Sequence, residues 1–403
     1  MQPNTSPLPP ISITEGRAWL DNFQPEERGI AALLLNSLRI VSSTEFRAQL
    51  TRGLIETVSQ LPQPVALYPV RAIRKEESEP SGISPRRTLP GSHAIVANII
   101  RDILESPPGS ARIYAEEQLE ALREKQVRSI LLVDDYSGSG TIALRCGGAW
   151  LRNPTIRSWK SYKFIGIHYF AFAVSGTAEQ RIRKASIFDS VRYAEYGLDF
   201  DAARWTENEK SDVEVLCKKY AQTPSVALGL RKSRGLFVVQ HTVPNNLPMI
   251  IWQRTGRDGA PWAPFFKNRR MSPAQQLYIS GYSPKVDFSE LAEEIGQRRL
   301  ARQFSQKLKG ESAGLKRLTL LLGALSAGHR NDNDLSVRLA TSIASLEDLT
   351  RIGQQLGLID GKRRLTDSGW AELRSARKQQ GSAQVELTWC DEPYYPRQLR
   401  ESQ

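Results

Sequence analysis

The sequence predicts an α/β fold, with a mostly parallel sheet covered by helices on both faces, followed by a separate and mostly helical unit. Three observations predict it. Short apolar runs of strand length (65–70, 129–133, 162–174 and 235–241) alternate with stretches whose apolar residues recur at helical spacing. Strands alternating with helices imply a parallel sheet. A chain of 403 residues is also too long for one ordinary core. After about Met271 the strand-like runs stop and charged helical patterns take over.

Composition narrows the class. Apolar residues make up 40% of the chain, enough for real cores. No uncharged apolar run approaches the roughly 18 residues that a membrane span needs. The opening MQPNTSPLPPISITEG has neither a basic nor an apolar leader segment, so no secretory signal is expected. Cys146, Cys217 and Cys390 lie far apart with no CxxC or Cys/His cluster, which argues against a zinc site and a disulfide framework. A reduced, cytoplasmic protein is the expectation. The net charge of +12 and a pI near 9.6 favour a polyanionic partner such as nucleic acid.

The elements follow in order. Residues 1–15 are rich in Pro and Ser and read as a loose arm. From Glu15 to about Leu61 the pattern is helical, with Leu33, Leu34, Leu35, Leu38 and Ile40, then Phe46, Leu50, Leu54 and Val58, near helical spacing. Pro62 and Pro64 end it, and 65–70 is a buried strand. The polar stretch 71–90 reads as a long loop of the functional kind. A helix over 91–105 buries Ile95, Ile99, Ile100 and Ile103, with Ser92 as its cap. A helix or turn over 118–127 leads to the strand 129–133, and a helix over 142–151 follows. Cys146, His93 and His168 read as structural residues.

The chemistry concentrates at 130–142, ILLVDDYSGSGTI. An apolar strand delivers Asp134 and Asp135 to the carboxyl edge of the sheet, where ligands bind in open α/β folds. Ser137, Gly138, Ser139, Gly140 and Thr141 then form a small-residue loop. Its backbone N–H groups can wrap a phosphate, and the next helix points its positive end at it. Two adjacent carboxylates suit a sugar diol or a metal ion. No Lys follows the last glycine, so the loop is not a Walker A motif, and the acids precede the glycines, so it is not the dinucleotide fingerprint.

At these residues the sequence resembles the type I phosphoribosyltransferases, closest to the orotate-type variant of their signature. The resemblance implies that Asp134 and Asp135 meet the ribose hydroxyls of phosphoribosyl pyrophosphate, with Mg²⁺ bound alongside that ligand and no metal held by the protein alone. Residues 138–142 would hold the 5-phosphate. It implies further that VALYPVRAIR carries the pyrophosphate contacts, Arg71 and Arg74, and that 71–90 is a lid bearing Lys75, Arg86 and Arg87. Purine-type members place an acid that assists as a base where this sequence has Gly138.

A narrower resemblance runs over roughly 30–270. Phosphoribosyltransferase-like proteins of bacterial conflict systems, including some retron defence operons, share a Gly-Ser helix start, a VDD-x-x-GSG loop and a late H-T-x-P-N-N-x-x-P-x-x-W segment. Gly91-Ser92, then 133–140, then 241–252 follow these in order, except that the proline of the last segment, Pro248, stands one place earlier than in that pattern. In the last segment His241 and Asn245 could line a site beside the sheet, although the density of turn formers and aromatics reads first as a packed structural turn. The resemblance implies antiviral defence, with a retron reverse transcriptase and its RNA–DNA product as partners.

The late chain has its own pattern. Residues 287–309 read as one charged helix with a basic second half. Leu315, Leu318, Leu321, Leu322 and Leu325 mark a first helix, 335–343 a second, and 346–356, capped by Ser345, a third. LIDGKRRLTDSGW reads as a hairpin around Asp360-Gly361, and 369–377 is a last helix. That order resembles a winged helix. The resemblance implies that Arg351 on the third helix and Lys362, Arg363 and Arg364 on the hairpin meet nucleic acid. From 315 to 378 eleven Lys and Arg stand against seven Asp and Glu, a modest +4.

The expected organisation is an arm (1–29), a phosphoribosyltransferase-like α/β domain (30–275), a basic helical linker (285–310), a winged-helix domain (311–380) and a tail (381–403). Three roles fit it: a defence effector that binds or uses phosphoribosyl pyrophosphate, a transcriptional regulator that senses it, and an inactive nucleic-acid-binding scaffold.

Overall fold

Strands that are apolar on both sides need cover on both sides, and the central sheet has it. The computed structural model describes residues 10–73, 92–115, 118–280, 287–306 and 308–378. The chain divides into two units, Met1–Lys285 and Val286–Gln403.

The first unit runs α1 (Thr14–Leu20), α2 (Arg28–Asn36), β1 (Arg39–Val41), α3 (Ser43–Gln60), β2 (Val65–Pro69), α4 (Ser92–Glu105), β3 (Ile113–Tyr114), α5 (Leu119–Glu124), β4 (Ser129–Ser137), α6 (Thr141–Arg152), α7 (Pro154–Ser161), β5 (Gly166–Ser175), α8 (Gly176–Lys184), β6 (Ser190–Gly197), α9 (Glu207–Tyr220), β7 (Phe237–Val239) and α10 (Pro273–Ser280). The sheet order is β3-β2-β4-β5-β6, and every pairing is parallel. Along β4 the pleat sends alternate residues to opposite layers. Leu131 and Val133 pack with α3 and α4 through Phe46, Leu50 and Ile99. Ile130 and Leu132 pack with α6, α7 and α8 through Trp150, Ile156 and Ile182.

Several expectations shift here. The helical run from Glu15 to Leu61 is three helices broken by β1, so Ile40 lies on a strand. The β-branched pair Ile40-Val41 pairs in parallel with β7, and Ser42 then caps α3 by accepting from Glu45 N. The 235–241 strand accordingly leaves the main sheet and forms a two-stranded sheet with β1. Residues 14–29 are no arm. Trp19 is wholly buried, and its indole donates to Ile250 O in a third core built from 19–40 and 200–279. Helices α7, α8 and α9 and strands β3 and β6 were invisible as apolar patterns. In β6, SVRYAEYG, the charged Arg192 and Glu195 interrupt the run of an edge strand.

The second unit runs α11 (Phe288–Glu294), α12 (Arg298–Ser305), α13 (Ala313–Ser326), α14 (Asp332–Arg338), α15 (Ile343–Gln355) and α16 (Asp367–Arg377). The expected single helix over 287–309 is two helices. Gly296, at φ +74°, turns the chain between them, and Leu291, Leu300 and Phe304 enter the same core as Leu321 and Leu373 rather than forming a linker. The second helix ends at Arg338, before the predicted 343. The cap of the third is Ser342, which accepts from Ser345 N, not Ser345 itself. The hairpin is reduced to one antiparallel bridge, Ile359 to Leu365.

Candidate sugar-phosphate site

Strand β4 carries the site. It is longer than its apolar stretch suggests and continues through both acids to Ser137. Pairing with β5 explains the length: the β2 register ends where Pro69 faces Val133, whereas the β5 register runs on until Ser137 faces Val174. The loop proper is therefore Gly138–Ser139–Gly140, with Ser137 at the buried strand end and Thr141 opening α6.

The loop is held open by its neighbours. Gly140 is left-handed at φ +70°, a conformation that favours glycine, and a Cβ there would lie 3.2 Å from Ile182. Ser175 caps α8 and also donates from its hydroxyl to Gly138 O at 2.7 Å. The Ser139 and Thr141 hydroxyls lie 3.1 Å apart. Arg181, from α8, donates to Ser139 O and to Thr141 Oγ1, so a guanidinium rests on the loop. A twelve-residue helix, α6, starts at the crook and adds its positive end. Hydroxyls, backbone N–H groups, a helix N-terminus and one arginine are the chemistry that binds a phosphate. Arg181 was not found from the sequence, because it lies 42 residues after Ser139 on an otherwise polar helix.

The two acids do not converge on one ligand position as the sequence suggests. Both are buried, at 8% and 7% exposure, and neighbouring residues of a strand face opposite ways. Asp134 accepts from Tyr169 Oη at 2.8 Å on the α6 side and from the Asp135 backbone N at 3.0 Å. Burial, and then the neighbouring Asp135 charge, hold the Asp134 carboxyl well above the usual carboxylate range. Burial and the same carboxylate push the Tyr169 phenol up as well. Asp135 points to the α3 side, where His241 Nε2 is 3.3 Å from its Oδ2 and the imidazole stands edge-on to Phe46. His241 Nδ1 is buried without a hydrogen-bond partner.

The late H-T-x-P-N-N segment does reach the site, through His241 as expected and through Asn246 rather than Asn245. Asn245 is exposed, and its carbonyl accepts from Leu230 N. Asn246 is 1% exposed and donates to Tyr136 Oη, and its Oδ1 is a buried acceptor with no partner. Glycines make room for it. A Cβ on Gly235 would lie 2.1 Å from its amide nitrogen, and one on Gly138 3.0 Å from its side chain. The position where the resembled purine-type enzymes carry an acid thus faces an amide.

Arg71 follows β2 at the same carboxyl edge, beyond the Pro69–Val133 pair. It interacts with Cys146 on α6, whose thiol burial pushes up to about 11, which keeps it an unreactive core residue. Arg74, Lys75, Arg86 and Arg87 lie outside the described residues. His168 is structural as expected, its Nδ1 2.8 Å from Ser190 Oγ.

In the second unit the candidate cations divide. Lys362 and Arg364 are exposed, on a turn pinned by Asp360, whose carboxylate accepts from both their backbone N–H groups. These bonds lower the Asp360 pKa. Arg363 is half-buried at φ +56° and paired with Asp332. Arg351 is exposed on α15 and paired with Asp348.

Comparison with known proteins adds two matches. A family model described as PRTase-CE matches residues 17–268. A second, described as wHTH-PRTase associated, matches residues 319–401. No curated protein and no solved structure matches.

Proposed function

The chain belongs to the PRTase-CE family, and on that premise we propose that its first unit binds a ribose 5-phosphate ligand of the phosphoribosyl pyrophosphate type at the carboxyl edge of β4. One observation carries this reading: the Gly138–Gly140 crook, with Gly140 left-handed, opens a helix while Arg181 and two hydroxyls rest on it. The phosphate sits in the crook, and the acids and Arg71 serve the sugar and pyrophosphate side. The two acids face opposite layers and Asp134 is closed onto Tyr169, so together they do not form a Mg²⁺ site; a Mg²⁺ arriving with the ligand would be held by its phosphates and waters, with at most one of the two carboxylates.

The second unit is a winged helix, and we assign it nucleic-acid binding through Lys362, Arg364 and the α15 surface around Arg351. The resemblance of 133–140 and 241–252 to retron-associated proteins supports a place as an effector in a bacterial antiviral system, with a reverse transcriptase and its RNA–DNA product as partners in the cytoplasm.

Calorimetric titration of phosphoribosyl pyrophosphate with Mg²⁺ tests the binding site. Wild-type protein gives saturable heat, and the Asp134→Asn, Asp135→Asn double variant gives none. Absence of heat with the wild type sinks the reading. Release of pyrophosphate then separates transfer from sensing. The closure of Asp134 onto Tyr169 and of Asn246 onto Gly138 favours a sensor that holds the ligand without turning it over.

A further inference from the structure

The opposite end of the sheet carries a feature that neither site uses. Where α7 runs into β5 the chain turns through Tyr162, Lys163 and Phe164. Lys163 takes φ +58°, and Phe164 N bonds back to Trp159 O. Tyr162 and Phe164 are 69% and 58% exposed, and their rings stack on each other at 5.8 Å with planes 25° apart. Two exposed aromatic rings standing together on a soluble surface leave apolar faces in water, which is unfavourable unless something covers them.

The charge around them identifies what covers them. Ser129 pairs with Gly166, and Gly166 N donates to Arg128 O, so the turn before β4 lies beside the turn before β5. Over 125–129 and 154–166 the chain has five cations, Lys125, Arg128, Arg157, Lys160 and Lys163, and no acid. Asp189, which approaches from the start of β6, is already paired with Lys160. Arg128, Arg157 and Lys163 are exposed.

We propose that this amino-terminal edge of the sheet is a binding surface for single-stranded nucleic acid. Unpaired bases stack on Tyr162 and Phe164, and Arg128, Arg157 and Lys163 meet the flanking phosphates. Every base has a π-face, so the surface tolerates any sequence, and a duplex, whose bases are already stacked, cannot use the rings. The inference rests neither on the sugar-phosphate site, about 30 Å away along the nine residues of β4, nor on the second unit.

The test is fluorescence anisotropy of the full chain with a labelled oligothymidylate of about twenty nucleotides, and with a duplex of the same length. Arg351, Lys362 and Arg364 are replaced by Gln in every sample, so that the nucleic-acid surface assigned to the winged helix is removed while the Arg363–Asp332 pair stays intact. Tyr162→Ala with Phe164→Ala weakens oligothymidylate binding by about thirtyfold and leaves duplex binding unchanged. Arg128→Gln with Lys163→Gln reduces the slope of log affinity against log salt by about 1.4. That pair keeps the test alive if the aromatic variant loses its thermal transition. Equal affinity of the parent and the aromatic variant for oligothymidylate overturns the proposal, as does an unaltered salt slope or failure of the parent to bind it.

Discussion

The carboxyl edge of β4 and the winged helix are held together by opposite means. In the winged helix the chain is fixed by contacts a few residues apart. Ser312, Asn331, Ser342 and Thr366 each cap the helix that follows, and Asp360 pins its own turn. At the carboxyl edge the decisive contacts span the chain. His241 reaches Asp135 across 106 residues, Asn246 reaches Tyr136 across 110, and Arg181 reaches Ser139 across 42. A locally fixed unit tolerates the loss of one contact, whereas a site assembled from distant segments does not.

The largest expected effect is therefore at Asn246. Asn246→Ala removes a buried side chain and strands Tyr136 Oη, at a cost of about 3 kcal/mol in a urea unfolding titration. An effect of a few tenths would show that the segment 241–252 is not part of the site's frame. Gly140→Val forces a β-branched residue into the left-handed region, with its Cβ against Ile182. It costs about 2 kcal/mol and abolishes ligand heat in the calorimeter.

Asp134→Asn acts in the other direction. The folded-state pKa of Asp134 is raised, so the folded protein binds more protons than the unfolded chain between the ordinary carboxylate value and the raised one. Its contribution to stability is full below that window and declines as pH rises through it. The amide keeps the Tyr169 bond without the buried charge, so the variant melts higher than wild type at neutral pH, and the difference vanishes in acid. A melting temperature below wild type at pH 7 would refute the assignment.

Thr366→Ala deletes a cap whose hydroxyl serves Gly369 N, and costs about 1 kcal/mol without touching ligand binding in the first unit. The smallest effect is on the wing. Lys362→Ala lowers the magnitude of the salt slope of duplex binding by about 1. Arg363→Ala changes it less, because that guanidinium is already paired with Asp332. Equal effects would mean that the pair opens on binding.

The same division decided what could be read in advance. The strand, the acids and the crook at 129–141 are consecutive, and an apolar run followed by small residues announces them. The helices of the second unit were legible for the same reason, although Gly296 split one of them and Ser342 took the cap expected of Ser345. Arg181 and Asn246 were not legible. Each sits in a segment whose own composition says only polar helix or rigid turn, and β6 was hidden by the charges that an edge strand can carry.

By itself the sequence determined the phosphate crook, because left-handed glycine, backbone N–H groups and a helix start are properties of adjacent residues. It also determined the capped helices of the second unit. Only the tertiary structure decided that β4 continues through Asp134 and Asp135 and so turns them to opposite layers, that Asn246 rather than Asn245 enters the site, and that the 235–241 strand pairs with β1. Those outcomes depend on which distant surfaces bury one another, and that choice is made by packing across the whole unit.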